Sequence, residues 1–252
     1  MIDSSRSIVL GRRHVGSSVT QPHFFISYVH DSGEDDRHVH RFYADLNHDV
    51  LMFAGRRQGE SAGFCDSSIK LGQLWSPTLI ESLSTAQVLI PLMNPAYFTS
   101  AACGKEWAIF VSRLARSGRL DSPDSSIIPL LWVPMELPTI ALPYQFKEAA
   151  FGVAYERVGL RALIREERRR DDYHAFVERL AQRVVTLSRT APVVEAPDRP
   201  GFDDVISAFT ALPGPRLNGS TGPGDAPARN RPPMSTRIDR PILNTNLPED
   251  PR

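Results

Sequence analysis

Three stretches of this chain carry chemically capable side chains directly after apolar runs. FFISYVHDS at 24–32 presents Ser27, Tyr28 and His30 where the apolar run gives way to a polar loop. GFCDSSIKLGQLW at 63–75 places Asp66 and then Gly72 in a loop of small residues. VLIPLMNPAYFTSAACGKEW at 88–107 passes through an Asn-Pro turn to Cys103 and Glu106. A carboxylate can stabilise developing positive charge, and hydroxyl, imidazole and thiol groups can bind, move protons or attack. Each also has a plainer role. A Glu in the first turn of a helix complements the helix dipole. Cys103 can pack as a small buried residue, and Ser27 can hydrogen-bond a loop.

Several chemistries lack their signatures. No GxGxxG or GxxxxGK[ST] loop follows the first apolar run, which argues against dinucleotide-fold and P-loop phosphate binding. There is no G-x-S-x-G elbow for a serine hydrolase. His38 and His40 are two residues apart, so on a helix they point away from each other and share no metal. With only Cys65 and Cys103 as thiols, no zinc site is expected and two free thiols are the default.

The elements that must position these residues alternate in type. HFFISYV at 23–29, QVLIPLM at 87–93 and SIIPLLWV at 126–133 are short apolar runs suited to buried parallel strands, with GFCD at 63–66 a shorter one. Pro91 is unusual for a central strand. Between them, 38–54 carries Val39, Phe42, Tyr43, Leu46 and Val50 at helical spacing. Helices are also predicted over 78–84, over 101–116 with Trp107, Phe110 and Leu114, and over 173–187. The last of these carries Tyr173, Phe176, Val177, Leu180, Val184 and Leu187 on one face. Alternation of strand and helix predicts an α/β fold, a parallel sheet with helices on both faces and right-handed crossovers. Ligands of such sheets sit beyond the carboxyl ends of the strands, here the loops after Val29, Asp66 and Met93.

Proline separates this unit from its flanks. Of 21 prolines, 12 fall at or after Pro192, so 191–252 is expected to be a disordered tail. FDDVISAFTAL is an apolar island within it. It is a candidate short helix at 203–212, for which a transient state without a docking role is the simpler expectation. Residues 1–21 read as a flexible leader, leaving 22–190 as the folded domain. Lys+Arg and Asp+Glu both number 29, which gives no electrostatic case for nucleic acid or anionic membrane. The Arg-rich stretch 165–172 mixes both signs and reads as a solvated helix face. No apolar run approaches the ~20 residues of a membrane helix and no signal peptide is recognised, so a cytoplasmic location is expected.

Taken together, the three stretches resemble the Toll/interleukin-1 receptor (TIR) family. Phe25-Ile26-Ser27-Tyr28 matches its first box letter for letter. Asp66, Gly72 and Ile80 resemble its second region. Asn94-Pro95-Ala96-Tyr97, Ser100 and Cys103-Gly104-Lys105-Glu106 resemble its third. The resemblance covers about 22–135 and is nearest to bacterial TIR-like proteins of the FxsC type, which share a Cys-Gly-x-Glu-Trp helix start (103–107 here) and an Arg-rich stretch before a final helix (165–170). One departure stands out: the family's Trp before the Cys is Ala102 here, and Trp107 follows the Glu instead.

The resemblance implies a flavodoxin-like TIR fold and a signalling or defence role in bacteria. It also implies candidate NAD+ glycohydrolase activity, with NAD+ as substrate and no cofactor. Glu106 would be catalytic. Ser27, Tyr28, His30, Asp66, Gly72 and Cys103 would contact the nucleotide or shape its site. The loop 67–74, with Gly72, small serines and few apolar anchors, is expected to be mobile and to control site access or self-association. The alternative it implies is a catalytically silent adaptor that works through TIR–TIR self-association or contacts with other proteins, for example in a peptide-maturation cluster.

Overall fold

The computed structural model describes residues 21–30, 33–56, 60–65, 76–122, 124–144, 151–196 and 201–210. Four parallel strands are found there, β1 Phe24–Ser27, β2 Gly63–Cys65, β3 Val88–Met93 and β4 Leu130–Leu131, in the order β2-β1-β3-β4. Five helices accompany them: α1 Glu34–Ala54, α2 Pro77–Thr85, α3 Ala101–Arg116, α4 Val153–Arg165 and α5 Arg170–Thr190. This is an α/β architecture. None of the described helices is long and apolar enough to cross a membrane.

Successive side chains of a strand point to opposite faces, and β1 shows which helix lies on which. The Phe24 ring packs 6.0 Å from the Tyr43 ring of α1, whereas Ser27 reaches Glu106 of α3. Helices α1, α4 and α5 pack on one another, and α2 packs on α3. The predicted stripes form the core. Val39, Phe42, Leu46 and Val50 of α1 are buried, as are all six apolar residues named on α5.

Two prolines shape the far side of the sheet. The carbonyls of Leu89 and Met93 accept from Ile128 and Trp132, so this alternate set of β3 residues faces β4. Pro91 belongs to the same set, and its missing N–H interrupts only the β3–β4 ladder. The β1–β3 pairing runs unbroken from Phe24↔Val88 to Ser27↔Pro91. Pro129 follows on the other strand, so the apolar run 126–133 forms an isolated bridge at Ile127 and a short strand at Leu130–Leu131 instead of one continuous strand.

Helix α4 was not anticipated, and Gly159 at its middle explains both the oversight and its role. At Gly159 the backbone turns to φ 77° and kinks the helix. A Cβ there would lie 2.9 Å from the Trp132 carbonyl and 3.1 Å from Val133 Cα. The kink lets α4 rest on the outer edge of β4. Arg161 N–H donates to the Trp132 carbonyl at 3.0 Å, and the Tyr155 hydroxyl accepts from Leu131 N–H at 2.9 Å.

Residues that proline content assigns to the tail are packed on α3. Arg113, buried on α3, donates to the carbonyls of Leu83, Ala86 and Val194. Gln87 exchanges hydrogen bonds with Val193 through both its amide atoms. Further on, Phe202–Asp204 forms one 3-10 turn in place of the candidate helix at 203–212, and Phe202 and Phe209 are buried.

Candidate functional site

The order β2-β1-β3-β4 reverses direction between β1 and β3, and such a reversal opens a crevice beyond the strands' carboxyl ends. Ser27 and Tyr28 both sit at that end of β1. Alternation sends them to opposite sides, so the candidate residues fall into two groups.

The first group lies on the α3 side and is buried. Ser27 Oγ donates to Glu106 Oε2. Because the single Ser27 proton is used there, the Tyr97 hydroxyl, 2.9 Å from Ser27 Oγ, is the donor to Ser27. The hydrogen bonds run from Tyr97 through Ser27 to Glu106. Tyr97 is brought in by the turn after β3, where Asn94 Oδ1 accepts from Tyr97 N–H at 2.8 Å. Burial, then Cys103 and Glu106, push the Tyr97 phenol well above its ordinary range, so it stays protonated and donates. Cys103 is buried beside them. Burial and the Glu106 carboxylate push its thiol far above the usual value, which leaves it protonated and inert.

Helix α3 spans the predicted 101–116. Ser100 is its N-cap, accepting from Cys103 N–H at 3.3 Å. Glu106 therefore stands in the second turn, facing the sheet, and the helix-dipole role expected for a first-turn Glu does not apply. Its carboxylate is held by the Ser27 hydroxyl, and the residue is only 7% exposed.

The second group lies on the α1 side and is open. A cavity of about 250 Å³ is lined by Tyr28, His30, Asp35, Asp36, Asn94 and Trp132, with Val29, Val39, Leu92 and Ala96 between them. The Tyr28 and His30 rings pack at 4.3 Å. Asp35 sits in the acidic first turn of α1. It accepts from Arg161 Nε at 2.6 Å and from Trp132 Nε1 at 3.3 Å. Partial burial acts to raise the Asp35 carboxyl, but these two donors outweigh it and hold the group below its ordinary value. Burial also lowers His38 on the same helix, against the opposing pull of Glu34 and Asp35. The cavity thus has an aromatic wall, an acidic wall and the Asn94 amide, with Glu106 absent from its lining.

Of the predicted site residues, Ser27, Cys103 and Glu106 are brought together in one cluster, and Tyr28 and His30 in the cavity on the other side of the sheet. Asp66, Gly72 and the loop 67–74 lie outside the described residues. Tyr97, Asp35, Trp132 and Arg161 were missed as site residues. Tyr97 stands in the quoted Asn-Pro-x-Tyr stretch, and a Tyr four residues past a buried strand was the available signal. Arg161 and Asp35 are 126 positions apart, and nothing local links them. No group of His, Cys, Asp and Glu able to hold a metal occurs among the described residues.

Compared with family models, curated proteins and solved structures, the chain matches none.

Proposed function

We propose that this chain is a TIR-type signalling or defence module of bacterial origin, with a flavodoxin-like fold, that cleaves NAD+ using Glu106. The observation that carries the reading is the hydrogen bond between Ser27 and Glu106. It joins the first-box Ser to the Glu of Cys-x-x-Glu across 79 positions of sequence, at the carboxyl end of β1. The strand order β2-β1-β3-β4 supports the flavodoxin-like assignment.

In this reaction the bond between ribose C1′ and the nicotinamide nitrogen breaks and its electron pair leaves with nicotinamide. Water adds to C1′ and releases a proton, giving ADP-ribose. Positive charge builds on the ribose as in glycoside hydrolysis, and a fixed carboxylate stabilises it. Nicotinamide leaves as a neutral base, so no strong general acid is needed.

The test is nicotinamide release by concentrated full-length protein, because self-association is the activation this reading expects. Glu106→Gln is expected to lower the rate by about 10²–10³. Wild-type turnover in that variant would remove Glu106 from the chemistry.

A second reading is favoured by one observation: Glu106 is buried and does not line the described cavity. In it the chain is a silent adaptor acting through protein contacts, and the Tyr97–Ser27–Glu106 cluster is part of the core. Nicotinamide release absent from both concentrated wild type and Phe209→Ala would decide for this alternative.

A further inference from the structure

We infer that residues 201–210 are an intramolecular latch on α3 that locks Glu106 in its buried, Ser27-bonded position. The segment is anchored at two places. Phe202 lies under Lys105, whose Nζ is 4.6 Å from the ring centroid and donates to the Phe202 carbonyl at 2.9 Å. Phe209 enters an aromatic box, with ring centroids 5.6 Å from Tyr97, 5.2 Å from Phe98 and 5.9 Å from Trp107. Between the anchors, Ala208 N–H donates to the Gly104 carbonyl at 3.0 Å. Gly104, Lys105 and Trp107 flank Glu106 on the same helix.

Phe209 is tied to the carboxylate through one side chain. Its ring packs against the Tyr97 ring, the Tyr97 hydroxyl bonds Ser27, and Ser27 bonds Glu106. While Phe209 fills the box, Tyr97 has one position and the Ser27–Glu106 bond is fixed. When it leaves, the Tyr97 ring loses a packing wall and the chain of bonds can open.

The segment is built to come off. Its only regular structure is one 3-10 turn, and Ile206 between the anchors is 81% exposed. Little regular backbone bonding is a mark of a unit that opens ahead of the rest of the fold. The nearest neighbours of a Cβ built at Gly104 belong to this segment. A Cβ there would lie 2.0 Å from Ser207 Oγ and 3.0 Å from the Phe209 ring. Ser207 Oγ cannot turn aside freely, because it accepts from Phe209 N–H at 3.2 Å. Ala would be the better residue for the helix, so the latch is what requires Gly.

The consequence for turnover rests on the proposed NAD+ reading, but the lock itself is tested without it. Full-length wild type, Gly104→Ala and Phe209→Ala are compared by two measurements. Hydrogen exchange at the Ala208 amide reports the latch. Carbodiimide labelling of Glu106, read by mass spectrometry, reports exposure of the carboxylate. Both variants are expected to speed Ala208 exchange by about tenfold or more, the signature of local release, and to raise Glu106 labelling several-fold while circular dichroism stays unchanged. Faster Ala208 exchange with Glu106 labelling at the wild-type level would overturn the lock. So would a Gly104→Ala protein with both readouts unchanged. If Gly104→Ala does not fold, Phe209→Ala alone decides by the same two readouts. Raised labelling with no nicotinamide release from any of the three proteins would establish the lock and refute the NAD+ reading.

Discussion

Ser27 and Tyr28 are adjacent in sequence, yet they belong to different environments. Ser27 lies in a buried cluster with Tyr97, Cys103 and Glu106, where hydrogen bonds run from Tyr97 through Ser27 to Glu106. Tyr28 lines an open cavity with His30, Asp35 and Trp132, where solvent can take over a lost bond. The same strand end therefore serves two purposes. On the α3 side a polar group lost from the cluster leaves its partner buried and unpaired, and such groups are costly. On the α1 side the same change mainly alters what the cavity can hold. A contiguous motif at the end of a strand is thus not a contiguous site.

The largest expected difference comes from truncating one residue on each side. Glu106→Ala removes the acceptor of Ser27 and leaves a void, and should cost about 2–4 kcal/mol in denaturant unfolding. His30→Ala should stay within roughly 0.5 kcal/mol of wild type. Equal losses would show that the cavity side is as closed as the cluster. A smaller effect is expected from Tyr97→Phe, which keeps the ring against Phe209 and deletes only the hydroxyl to Ser27, for a loss of about 1 kcal/mol. A neutral result would mean Ser27 finds another donor.

The smallest effect concerns Asp35 and depends on pH. Its folded-state pKa lies below the ordinary 3.8 because Arg161 and Trp132 outweigh the raising effect of burial. A carboxyl held low in the fold contributes stability that is fully present above the unfolded value. That contribution is lost as pH falls through 3.8 towards the folded value. Asp35→Asn should therefore lower stability modestly at pH 7 and show a flatter decline below pH 4 than wild type. Parallel acid limbs in the two proteins would remove Asp35 from the cavity's ion pair.

Periodicity made much of this fold legible. The stripe on α5 and the span 101–116 for α3 follow from local sequence, because one buried face dictates both. The boundaries that failed were set by backbone chemistry. Pro91 and Pro129 cut the third apolar run to a bridge and a short strand, and Gly159 hid α4 by breaking its pattern. The site was legible by residue type and not by grouping. Glu106 and Ser27 meet at the end of β1, but the order of motifs could not show that alternation would put Tyr28 and His30 across the sheet. Phe202 and Phe209 belong to an apolar island whose packing is not legible in the sequence, since their partners Tyr97, Phe98, Lys105 and Trp107 lie about a hundred positions earlier and leave no local trace.

The kink at Gly159 has a consequence for how this chain behaves in a crowded solution. An outer strand normally offers unpaired N–H and C=O groups on which another polypeptide can add itself. Here the Leu131 N–H and the Trp132 carbonyl are already taken by Tyr155 and Arg161 of α4. At the opposite margin, β2 spans Gly63–Cys65 among the described residues. Helix α4 thus acts as a guard against edge-to-edge aggregation. Replacing Gly159 with a residue that bears a Cβ would do its harm by opening the sheet to its neighbours.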